Sequence, residues 1–157
     1  MGELELLPDE VRLVILDRDG TIVEGAAEGD YLIDPADVRL LPWAAPAIAR
    51  WNRDGRRVVV ATNQRCVALG LCARERVDEV NARVSALLAE QGAHIDEWYV
   101  CAHGIEECEC RKPLPGLLLR AMADAGVGPE SAVMIGDSAA DAGAAYAAGI
   151  AWLRVSR

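Results

Sequence analysis

Two aspartates stand two residues apart where a short apolar run ends: Asp17-Arg18-Asp19-Gly20-Thr21 follows VRLVIL, Val11 to Leu16. Close carboxylates repel, so such a pair needs a cation between them or a shared proton. Asp137, in Gly136-Asp137 after a second apolar run, can complete an oxygen site. Hard oxygen donors with room for water and phosphate oxygens suit Mg²⁺. The Thr62 hydroxyl and the Lys112 ammonium suit the equatorial oxygens of a phosphoryl group. A carboxylate nucleophile, a neighbouring acid/base, a metal and a cationic clamp are the parts of phosphoryl transfer through an aspartyl phosphate.

A second cluster is Cys101, His103, Cys108 and Cys110, spaced C-x-H-x4-C-x-C. Four soft or borderline ligands at this spacing match tetrahedral, structural Zn²⁺ with no open position. The competing reading is a group of buried reduced thiols beside a surface histidine. The connecting stretch from Gly104 to Glu109 is polar and acidic, with little apolar material to hold it, and Arg111-Lys112 follows the last ligand at once. A metal there would fix the segment that delivers both cations. Cys66 and Cys72 are left over from the five cysteines and are expected to be free thiols.

The elements that must position these residues alternate throughout. Strands are expected at Val11–Leu16, Arg57–Thr62, Glu97–Cys101, Ala132–Ile135 and Ile150–Val155. Helices are expected at Trp43–Arg53, Ala73–Glu90, Gly116–Ala125 and Ala139–Ala148. Val77, Val80, Val84, Leu87 and Leu88 form one apolar stripe of the second helix. Alternating strands and helices imply parallel strands with right-handed crossovers, and continuous apolar strands imply helices on both faces. The expected fold is therefore α/β, a Rossmann-like parallel sheet of about five strands. Ligands in such sheets bind outside the carboxyl ends of the strands, and the polar residues singled out above lie at those ends.

A length of 157 residues predicts one domain, residues 1–157, with the zinc loop at 101–110. Asp and Glu total 25 against 16 Lys and Arg, a formal charge of −9. Such a surface repels phosphate backbones and anionic lipid, so neither nucleic acid nor a membrane is an expected partner. No apolar run is long enough to span a bilayer, and MGELELLPDE lacks the features of a signal peptide. The expectation is a cytoplasmic monomer acting on a small phosphorylated metabolite.

DRDGT, TNQ, RKP and GDSAAD, in this order at successive strand ends, resemble the four motifs of the haloacid dehalogenase-like phosphatases. The resemblance spans about Val11 to Val155. It implies that Asp17 is the nucleophile and that Asp19 protonates the leaving oxygen and then activates water. It implies Mg²⁺ bound by Asp17, the backbone carbonyl of Asp19, and Asp137. Thr62 and Lys112 would bind the transferring phosphoryl group, with Asp141 orienting Lys112 or a metal-bound water. The zinc loop running into Arg-Lys-Pro is similar to the branch of heptose-bisphosphate and histidinol-phosphate phosphatases, compact enzymes without a large cap domain. That branch implies substrate contacts from Asn63, Gln64, Arg65 and Arg111, and a sugar phosphate as substrate. Histidinol phosphate is the second possibility, and a catalytically silent zinc-bound module the third. Cys66 stands where the family has glycine, close to where substrate is chosen.

Overall fold

The structure is a computed structural model and describes residues 6–27, 30–104 and 108–155. The start of the chain at 1–5 and part of the cysteine loop, 105–107, thus lie outside the described residues.

Five parallel strands form one sheet in the order β3-β2-β1-β4-β5. They are β1 (Leu13–Leu16), β2 (Arg57–Asn63), β3 (Glu97–Cys101), β4 (Ala132–Gly136) and β5 (Ala151–Arg154). The helices are α1 (Ala44–Arg53), α2 (Arg74–Ala89), α3 (Gly116–Ala125) and α4 (Ala139–Ala148). This is the α/β architecture expected from the alternation of strand and helix patterns. No described helix is long and apolar enough to cross a membrane.

β1 is shorter than the apolar run that encodes it. Leu13 pairs with Arg57 and with Ala132, so the strand starts where both neighbours start. β1 and β4 are buried throughout and β2 over its middle residues, whereas β5, at an edge, is partly exposed along its length. β5 also loses the expected first residue, because the Ile150 N–H closes the end of α4 on the Ala145 carbonyl.

Alternation along β1 assigns each residue to a face. Val14 and Leu16 pack with Ile48 and Trp51 of α1 and Val80, Val84 and Leu88 of α2. Leu13 and Ile15 pack with Leu117, Leu118 and Met122 of α3 and Ala144, Ala145 and Ala148 of α4. The small residues of α4 let that helix lie close to β4 and β5. Trp43 precedes α1 and donates its indole N–H to the Thr21 carbonyl at 2.8 Å, tying the turn after β1 to the helix layer. Its ring meets Trp51 edge-on, with centroids 6.3 Å apart. Leu118 is fully buried between α3 and the sheet. Leu118→Ala is therefore expected to cost about 2–5 kcal/mol of stability, read by chemical denaturation.

Candidate functional site

Asp17, Thr62 and Asp137 lie at or just past the carboxyl ends of the three central strands, and Cys101 ends the edge strand β3. Alternation continues past the last paired residue of β1, so Asp17 faces the α3/α4 layer. There Lys112, on the loop before α3, donates to Asp17 Oδ1 at 2.9 Å and to Asp141 Oδ1 at 2.6 Å. Asp141 is in the first turn of α4 and fully buried. Its other oxygen accepts from the Ser138 amide at 3.2 Å and the Ser138 hydroxyl at 2.9 Å, while its own N–H donates to Ser138 Oγ. This capping box locks the carboxylate that in turn holds Lys112. Gly136 is required beside it, since a Cβ there would collide with the Asp141 carboxylate.

Asp17, Asp137 and Asp141 each offer an oxygen within 4.8 Å of the others. Burial pushes the Asp17 carboxyl up; Lys112 opposes this, but Asp141 and Asp19 add to it, and the group sits at about 7. Burial alone would lower Lys112, yet the Asp17 and Asp141 carboxylates outweigh it and raise its affinity for a proton. Two carboxylates thus share one ammonium, with the Asp137 carboxylate close to both. Oxygen-only donors with surplus negative charge fit a hard divalent cation.

The Asp19 carboxylate lies outside that trio. It accepts from Arg18 Nε at 2.8 Å and Nη2 at 3.1 Å, and from Gln64 Nε2 at 3.2 Å. Gln64 Nε2 also donates to Thr62 Oγ1 at 2.8 Å, and both side chains are buried. Gln64 therefore forms part of the site wall, between the Thr62 hydroxyl and Asp19. Asn63 holds the Lys112 backbone: its Nδ2 donates to the Lys112 carbonyl at 2.9 Å, and its Oδ1 accepts from the Lys112 amide at 3.0 Å. Arg65 Nε and Arg111 Nη1 are buried donors without a protein acceptor, a condition they share with Arg57 Nε and Trp152 Nε1.

Cys101, His103, Cys108 and Cys110 converge with their ligand atoms within 4.8 Å of one another. Four edges of the polyhedron are given by Cys101 Sγ to His103 Nδ1, 3.5 Å, Cys101 to Cys108, 3.5 Å, Cys108 to Cys110, 3.3 Å, and Cys110 Sγ to His103 Nδ1, 3.4 Å. Zinc–ligand bonds of about 2.0–2.3 Å in a tetrahedron give edges of about 3.5–3.8 Å, and the four distances lie at the lower end of that range or below it, the sulfur–sulfur edges up to about half an ångström short of about 3.8 Å, so the donors need only spread slightly to take the ion. Burial opposes the Cys108 thiolate, but hydrogen bonds from the Cys110 thiol and from the Arg111 and Cys110 amides prevail and bring it down to about 7. Gly116 at the start of α3 lies against this loop, where a Cβ would be 2.6 Å from the Glu109 carbonyl oxygen.

Sequence reasoning passed over Arg18, which is fully buried, and Asn81 of α2, which accepts from Arg18 Nη1 at 2.8 Å. The signal was available: Asn81 is a polar residue beside Val77, Val80 and Val84 on the buried face of α2. The loop after β2 folds back so that the Cys72 thiol donates to Cys66 Sγ at 3.0 Å, and both cysteines are free thiols. Burial, with Cys72 alongside, pushes Cys66 up to about 12.

A family profile described as haloacid dehalogenase-like hydrolase matches residues 26–149, which include Thr62, Lys112 and Asp137. The D-glycero-beta-D-manno-heptose-1,7-bisphosphate 7-phosphatase of Mesorhizobium japonicum is 37% identical over 158 positions, covering 94% of this chain and 71% of the relative. The enzyme of the same name from Pseudomonas putida is 38% identical over 141 positions, covering 88% and 79%. Among solved structures, the D,D-heptose 1,7-bisphosphate phosphatase of B. bronchiseptica, complexed with magnesium and phosphate, superposes with a TM-score of 0.84 at 34% identity. That match covers 90% of this chain and 79% of the other.

The double hydrogen bond from Asn63 makes a local prediction. Asn63→Ala leaves a buried backbone amide and carbonyl unpaired and should cost about 1–3 kcal/mol, read by denaturant titration.

Proposed function

The chain belongs to the haloacid dehalogenase-like hydrolases and is a phosphoric monoester hydrolase, and from that premise we propose that it removes the 7-phosphate of D-glycero-D-manno-heptose 1,7-bisphosphate through an aspartyl phosphate on Asp17. The observation that carries the reading is Lys112, bridging Asp17 and Asp141 at 2.9 and 2.6 Å, where a phosphoryl group attacked by Asp17 would meet an ammonium.

The Asp17 carboxylate oxygen attacks phosphorus, and the ester P–O bond breaks. The departing sugar oxygen takes its electron pair and a proton from Asp19, leaving as the alcohol. Asp19, now a carboxylate, takes a proton from water as the water oxygen attacks the phosphorus of the aspartyl phosphate. The bond to Asp17 breaks, and phosphate leaves. Lys112 and the Thr62 hydroxyl face the charge that spreads over the equatorial oxygens. A magnesium ion held by Asp17, the Asp19 carbonyl and Asp137 would neutralise the carboxylate cluster and polarise a phosphoryl oxygen. Asp141 acts by holding Lys112.

Arg65 and Arg111 are assigned to the remainder of the substrate. The buried, unpartnered donors on both support this, and a guanidinium fork suits the second phosphate of a bisphosphate. Cys101, His103, Cys108 and Cys110 are assigned to structural zinc, which anchors the segment leading into Arg111 and Lys112. Asn63 joins them as the residue that fixes the Lys112 backbone.

Phosphate release should be measured on both anomers of heptose 1,7-bisphosphate, on histidinol phosphate and on hexose phosphates, with Mg²⁺ and with EDTA. The expected outcome is Mg²⁺-dependent release, fastest from one heptose anomer. A preference for histidinol phosphate would move the substrate to the other branch, and release unaffected by EDTA would overturn the mechanism. Asp17→Asn should lower turnover about a thousandfold or more. Metal analysis of the purified protein should find zinc, and Cys108→Ala should lose zinc and activity together; full activity without zinc would refute the anchoring role.

A further inference from the structure

We infer that Arg18 and Asn81 form a buried strut from α2 that positions Asp19 for proton transfer, so that a residue pair out of reach of the phosphoryl group governs the acid step. The inference rests on the assignment of Asp19 as acid/base made above.

Alternation after β1 sends Asp17 toward α3/α4 and Arg18 the opposite way, into the layer of α1 and α2. There the guanidinium is fully buried, against 34% exposure for the Asp19 side chain. Its fork is divided between two partners. Nε and Nη2 grip the two oxygens of Asp19 at 2.8 and 3.1 Å. Nη1 turns the other way and donates to Asn81 Oδ1 at 2.8 Å. A planar guanidinium cannot rotate to satisfy one partner without misdirecting the other. The Asn81 oxygen therefore sets the plane of the fork, and the fork sets the plane of the Asp19 carboxylate. Gln64 adds a third constraint by donating to Asp19 Oδ2 at 3.2 Å.

Fold stability does not call for this arrangement. Burying a charge is costly, and apolar residues of similar size commonly stabilise such a position better. Asn81 breaks the apolar face of α2, where Val77, Val80, Val84 and Leu88 are buried around it. Departures from local pattern that lack a folding gain tend to mark function. A partly exposed carboxylate that must donate a proton to one oxygen and then accept one from water gains from a fixed orientation in both steps.

The test uses the leaving group. The acid matters for an alkoxide and little for 4-nitrophenolate, which departs unprotonated. Values of kcat/KM should be compared for 4-nitrophenyl phosphate and for a primary alkyl phosphate among the sugar phosphates turned over. This parameter covers only the steps through departure of the leaving group. The ratio of the two values does not depend on how much protein is correctly folded. Asn81→Leu and Arg18→Lys should each lower kcat/KM on the alkyl ester about tenfold or more while leaving the aryl ester within about threefold. Asn81→Asp, which keeps an acceptor oxygen, should restore the ratio. Asp19→Asn is the control. If it leaves the ratio unchanged, the acid assignment itself fails. If it shifts the ratio while Asn81→Leu and Arg18→Lys do not, or lower both substrates in proportion, the strut is overturned.

Discussion

The Lys112 ammonium, held between Asp17 and Asp141, is the interaction on which the site depends. It joins three separate parts of the chain: the end of β1, the loop before α3 and the first turn of α4. Each carboxylate is in a setting that would otherwise disfavour its charge. Asp141 is fully enclosed, and burial pushes Asp17 up to about 7 despite the cation. Lys112 is itself buried, and the two carboxylates keep it charged. None of the three groups is stable there alone. Removing Lys112 leaves two buried carboxylates without their cation, which costs far more than breaking an exposed ion pair.

Everything that touches this triad serves its placement. Ser138 locks Asp141 through the helix cap. Asn63 holds Lys112 from the backbone side, opposite the carboxylates that hold its ammonium. Gly136 leaves the space that the Asp141 carboxylate occupies. The cysteine and histidine cluster gathers at the other end of the segment, its last member two residues before Lys112. The triad still carries more negative than positive charge once Asp137 is counted. The same electrostatics that hold Lys112 in place therefore also invite a divalent cation, and a metal-dependent site follows from a cluster that is under-neutralised by its own side chains.

Much of this was legible in the sequence, because the informative signals were local. Strand ends are marked by the change from apolar runs to polar residues, and Asp17, Thr62, Cys101 and Asp137 all sit at or just beyond that change. The borders of α3 and α4 follow from Pro115 and Ser138 before them and from Gly126 and Gly149 after them, with both glycines left-handed. The jobs of Asn63 and Gln64 were not legible. A TNQ motif shows three polar side chains but not which one faces backbone, and the answer depends on contacts 49 and 45 residues away. Arg18 was hidden for a different reason. Between two aspartates it reads as a solvated cation, and only the alternation past β1 turns it into the interior. The approach of Cys66 to Cys72 depended on a turn in which the Leu71 N–H returns to the Cys66 carbonyl; the left-handed Gly70 marks that turn but not which side chains it brings together.

A net charge of −9 is consistent with binding an anionic substrate once the charge is resolved by depth. The paired acidic residues of α2, Asp78 with Arg74 and Glu79 with Arg76, are exposed and screened. The Lys112 cation beside Asp17 is buried, and Arg65 Nε and Arg111 Nη1 are buried as well. Low-dielectric surroundings strengthen the buried cations, while water weakens the surface acids. An extended polyanion must cross the acidic surface to bind, but a small phosphate ester needs only to reach the rim. Charge distributed in this way suits a compact phosphorylated metabolite.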